Sequence, residues 1–142
     1  MEIVTWRDDV YSVNNKAIDN QHKKIFNILN HLFACMSKGE SKDKLREVLN
    51  ELVDYSQYHF TSEEAHFCKL KGFPAPGKHI DEHQQFIEKI REFQSDYIHG
   101  KALLTMDVFI FIKNWINSHI KKCDRKMCSF HTSKIDSKST TL

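Results

Sequence analysis

Apolar residues recur along this chain at steps of three and four, the spacing that places side chains on one face of a helix. Ile18, His22, Ile25, Phe26, Leu29, Leu32, Phe33 and Met36 predict a helix over about 18–37. Gly39 is a stop signal, and Ser41 is a candidate N-cap for the next helix. A second stripe, Leu45, Val48, Leu49, Leu52, Ser56, His59, Phe60 and Glu63, predicts a helix over about 42–70. Gly72, Pro74, Pro76 and Gly77 then interrupt the pattern. His79, His83, Phe86, Ile87, Ile90 and Phe93 predict a third helix over about 78–98, ended by Gly100. Thr105 can cap a fourth, which carries Val108, Phe109, Ile112, Trp115, Ile116 and His119 to about residue 122.

Four amphipathic helices with short connections favour an all-α, up-down-up-down antiparallel four-helix bundle. Four glycines and two prolines in 142 residues are too few turn formers for a β-sandwich. Residues before about 18 form an N-terminal arm containing Trp6 and Tyr11. We expect one domain over 1–126 and a short polar tail over 127–142, partly disordered at its Ser/Thr/Lys-rich end.

Bulk chemistry narrows the function. A net charge of +2 with mixed signs argues against a nucleic-acid partner. No apolar run approaches the roughly 18 residues of a membrane span, so membrane insertion is not expected. The N-terminus lacks the basic and apolar regions of a signal peptide. Cys35, Cys68, Cys123 and Cys128 are irregularly spaced and read as free thiols, so the expected location is the cytoplasm.

Histidine is the outlier, with nine in the chain. His59 and Glu63 are four apart, and so are His79 and His83. Each pair therefore shares one helix face. In an antiparallel bundle, His22 early in the first helix, His59 and Glu63 late in the second, His79 and His83 early in the third, and His119 late in the fourth all fall at one end. Asp124 follows five residues after His119. Five imidazoles and two carboxylates exceed the four ligands of a structural zinc ion. They suit two six-coordinate ions. If both carboxylates and one solvent oxygen bridge, eleven of twelve positions are filled and one stays open for a small ligand. Imidazole with carboxylate suits iron, although the ligand set alone also permits manganese.

The segments DNQH, HFTSE, HIDEH and HIKKCD resemble the four motifs of the hemerythrin family, in particular its single-domain bacterial members. The match runs from Trp6 to about residue 126. The resemblance implies a non-haem di-iron centre. His79, His83 and His119 would hold one iron, and His22 and His59 the other. Glu63 and Asp124 would bridge them beside an oxo or hydroxo group. O2 would bind end-on at the five-coordinate iron against a pocket of Phe60, Trp115 and Ile116. That apolar wall offers no general acid, which favours reversible O2 binding for transport, storage or delivery to an oxygen-using enzyme over catalysis. The alternative is a di-iron O2 or redox sensor, or a peroxide- or nitric-oxide-responsive repair protein.

The remaining polar residues have plainer readings. His31, His99 and His131 are expected at the surface. Glu64, Asp81 and Glu82 are expected to point away from the ligand stripe, and Glu88 and Asp96 to serve solubility. His66 has no ligand role in the family pattern. Cys123, Cys128 and His131 match no zinc spacing. The sequence does not set the oligomeric state.

Overall fold

The computed structural model describes residues 3–13, 15–66 and 76–121. Its described residues form five helices: α1 (Asp8–Tyr11), α2 (Lys16–Ser37), α3 (Lys42–His66), α4 (Pro76–Ile98) and α5 (Met106–His119). The four long helices are the four the periodicity predicts. α1 is a single turn within the expected arm. Residues 67–71, where the second helix was expected to end, lie outside the described residues, as do Asp124, Cys68, Cys123, Cys128 and the tail.

Local chemistry sets the ends. Asn15 accepts the Ile18 backbone N–H through its side chain and starts α2 two residues earlier than the apolar stripe suggests. Ser41 accepts the Lys44 N–H, and Thr105 accepts the Val108 N–H. α2 and α4 stop in the same way. Gly39 and Gly100 adopt φ of 67° and 74°, a region costly for residues with a Cβ. Beyond them Glu40 donates to the Cys35 carbonyl, and Lys101 to that of Asp96, satisfying carbonyls the helix ends would leave bare.

Cross-helix contacts give the direction of each helix. Early α2 meets late α3, where His22 and His59 approach. Early α3 meets late α4, where the Tyr97 hydroxyl donates to the Lys42 carbonyl. Early α4 meets late α5 through His83 and His119. Late α2 meets early α5, with the rings of Phe33 and Phe109 5.7 Å apart. Each neighbouring pair is thus antiparallel, and the molecule is the expected up-down-up-down bundle.

The core runs along the bundle axis. Leu29, Leu32, Leu49, Leu52, Phe109 and Ile112 are fully enclosed. Burying a leucine or phenylalanine side chain contributes about 1.5–3 kcal/mol. The arm lies along α2. Trp6 and Tyr11 pack edge-on against Phe26, and Asn30 binds the backbone of Ile3 and Val4.

Candidate metal centre

At one end of this core the apolar stripes give way to nitrogen and oxygen. His22, His59, Glu63, His79, His83 and His119 are all buried, none more than 7% exposed. Buried ionisable groups of this number are costly unless they pair with one another or hold a metal.

Glu63 sits in the middle. Its Oε1 lies 2.7 Å from His59 Nε2 and 3.4 Å from His22 Nε2. Its Oε2 lies 3.5, 3.4 and 3.9 Å from the Nε2 atoms of His79, His83 and His119. One carboxylate therefore faces two histidines with one oxygen and three with the other. Two groups able to hold a metal ion follow, His22–His59–Glu63 and Glu63–His79–His83–His119, with Glu63 common to both. All six residues that the sequence placed at one level of the bundle, and that fall among the described residues, meet here.

The donor spacing fits metal ions. His22 Nε2 and His59 Nε2 are 3.1 Å apart, and His83 Nε2 and His119 Nε2 are 2.9 Å apart. Adjacent ligand atoms each about 2.1 Å from one ion at a right angle would be separated by roughly 3 Å. Two neutral imidazoles meeting nitrogen to nitrogen can share only one proton, whereas a cation satisfies both lone pairs.

The electrostatics favour the ligand forms. Burial alone would raise the Glu63 carboxyl, but the charge of His59 and hydrogen bonds from His119, His22 and His59 hold it well below the usual carboxylate range. Burial pushes His83 below the usual imidazole value, partly opposed by its hydrogen bond to Glu63. An ionised carboxylate and a neutral imidazole are the metal-binding states.

Around this cluster lie residues that sequence reasoning missed. Gln21 Oε1 is 2.5 Å from His59 Nδ1, and Gln21 Nε2 reaches Ser62 Oγ at 3.4 Å. The amide fixes the ring so that Nε2 faces Glu63. Only its position, immediately before His22, hinted at this. Glu64 corrects an expectation. It does not point away into solvent but lies half-buried with Oε2 3.9 Å from His83 Nδ1. Burial raises its carboxyl above the usual value. His31 and His99 are exposed, as expected.

Aromatic rings enclose the three-histidine side. Phe60 stacks on His83 at 4.1 Å, and Trp115 stacks on His119 at 4.8 Å and on Phe86 at 4.0 Å. Phe60 and Ile116 are buried, while Trp115 is half-buried.

A helical bundle that gathers five imidazoles about one buried carboxylate belongs to the class of proteins built to hold a pair of metal ions. Residues 13–129 match the hemerythrin HHE cation binding domain. The chain is 30% identical over 125 residues to the bacteriohemerythrin of Methylococcus capsulatus, covering 88% of this chain and 94% of that one. It is 29% identical over 127 residues to the bacteriohemerythrin of Clostridium acetobutylicum, covering 85% and 95%. A solved wild-type hemerythrin structure superposes with a TM-score of 0.81 at 29% identity, covering 87% of this chain and 93% of that one.

This chain belongs to the hemerythrin family. It is accordingly a di-iron, oxygen-binding protein, and the family is one of oxygen-binding proteins rather than enzymes. Among the described residues no helix is long and apolar enough to cross a membrane.

Proposed function

We propose that this protein binds O2 reversibly, for carriage, storage or delivery to an oxygen-using enzyme in the cytoplasm. His79, His83 and His119 hold one iron in this reading, and His22 and His59 the other. Glu63 and Asp124 bridge the pair, and the unit that carries the centre spans residues 1–126. Phe60, Trp115 and Ile116 wall the ligand pocket in this reading. Phe60 and Trp115 stack on His83 and His119, and of the two rings Phe60 also approaches His59, at 5.8 Å, on the side where the ligand fits. The observation that carries the reading is the division of labour at Glu63, two histidines on Oε1 and three on Oε2. Unequal histidine counts leave unequal numbers of open positions, and the poorer side is where a small ligand fits.

Bound iron would supply the electrons and the coordination position for O2. The chain's own residues do the rest. Glu63 stays ionised and fixes the spacing of the two sides. Gln21 holds the His59 ring in one tautomer and one orientation. Phe60 and Ile116 exclude water, and their side chains carry no proton to donate. A dry, acid-free wall slows proton delivery, so bound O2 leaves as O2.

The test is a visible absorption spectrum of the reduced, iron-loaded protein under argon, then air, then argon again. A charge-transfer band that comes with air and goes under argon is the expected result. Irreversible conversion to the oxidised form would overturn reversible binding in favour of sensing or repair.

A further inference from the structure

The six clustered ligands are nearly sealed from solvent, so an ion must cross the bundle wall to reach them. Between α3 and α4 runs a groove of about 310 Å³ whose lining includes Gln57, Phe60, Glu64, His83, Gln84 and Glu88. Two carboxylates and two amides line it, and it reaches the His83 ring. His83 is 1% exposed, and its Nδ1 has no hydrogen-bond partner. Glu64 Oε2 lies 3.9 Å from that nitrogen, too far for a hydrogen bond. That separation is one a single cation can span, since nitrogen and oxygen ligands each sit about 2.0–2.2 Å from such an ion. On its other edge the same ring places Nε2 3.4 Å from Glu63 Oε2. One imidazole is therefore the partition between groove and cluster.

We propose that this groove is the port through which ferrous iron is loaded, with Glu88 and Glu64 drawing the cation in and Glu64 with His83 Nδ1 holding it at the inner end. This rests on the di-iron reading of the cluster and assigns a role to Glu64 and Glu88 that the cluster itself does not require. A cleft lined by one sign of charge raises the arrival rate of the opposite charge by 10-fold or more, and salt screens the gain.

The test follows uptake of ferrous iron alone, without O2, into the full chain after chelation, by stopped flow at low and high salt. Glu64→Gln with Glu88→Gln should slow uptake about tenfold at low salt, and the gap should close at high salt. Gln84→Lys, which adds a cation to the lining one turn from Glu88, should slow it similarly without replacing either carboxylate. Glu51→Gln with Asp54→Asn, an equal charge change at two exposed positions of α3 outside the groove lining, should leave the rate unchanged. Every variant should still end at two irons per chain. Equal rates in all variants would overturn the port. So would an endpoint below two irons in the double variant, because Glu64 would then serve to hold His83 rather than to pass the ion. No uptake by the wild-type chain would instead overturn the di-iron reading and the port with it.

Discussion

Gln21 Oε1 accepts the Nδ1–H of His59 at 2.5 Å, so an amide on α2 sets the pose of an imidazole on α3. Partners of this kind commonly contribute 10–100-fold to metal affinity. Gln21→Ala should therefore weaken the His22–His59 side by that order while sparing the three-histidine side. Metal titration followed by elemental analysis should show one tight and one weakened ion.

Glu63 is the only carboxylate among the described residues that faces all five clustered histidines. Glu63→Ala should abolish paired binding, with metal content falling from two ions to one or none. A variant that retained two would show that Glu63 is not shared between them. Glu63→Gln keeps the size and one oxygen but loses the charge, and should fall between the two.

Acid should destabilise the metal-free protein. His83 has its folded-state value lowered, so the unfolded chain takes up that proton first. Its contribution is complete above the ordinary value of about 6.5 and is lost as pH falls below it. Glu63, also lowered, contributes above its ordinary value of about 4.3 and is lost as pH falls further, through its folded-state value. Both signs agree. Urea midpoints should hold steady from pH 8 to 7 and then decline in two stages on acidification. A midpoint that rose below pH 6.5 would contradict the burial of neutral His83.

Asn30 joins the arm to the bundle by accepting the N–H groups of Ile3 and Val4 at 2.9 and 3.0 Å and donating to the Val4 carbonyl at 2.8 Å. Asn30→Ala leaves these backbone groups unpaired beside a buried Val4, at a cost of about 1–3 kcal/mol. Amide exchange at Ile3 and Val4 should accelerate far more than exchange at Leu29 or Leu49. Uniform acceleration would mean the arm and the bundle unfold as one unit.

The bundle and its ligand end were legible because both follow from helical period. Leu45 to Glu63 fall on one face by spacing alone, and the buried positions of α3 follow that stripe, Ser56 included, with Val53 added and Leu45 half-buried. Gln21 and Glu64 were not legible, because their roles depend on which neighbour on another helix comes within reach. Glu64, next to Glu63, lies 100° further around the helix, and period alone sends it outward. It is the approach of α4 that puts His83 beside it. The capping of α2 by Asn15 was missed because the apolar stripe, not the polar residue ahead of it, was used to mark the start. Asp124 falls outside the described residues, so its bridging role rests on the family pattern.

The bundle is chemically lopsided along its length. Leu32, Leu49, Ile90 and Phe109 fill the end away from the histidines, with Gly39 and Gly100 closing two of its turns. That half carries its own apolar core and two well-tied helix ends. The histidine half is packed as well, by Ile18, Phe60, Phe86, Ile116 and Ile120, but around a polar centre. Removing the ions should therefore act on one pole of the molecule and leave the leucine layer at the other as its anchor.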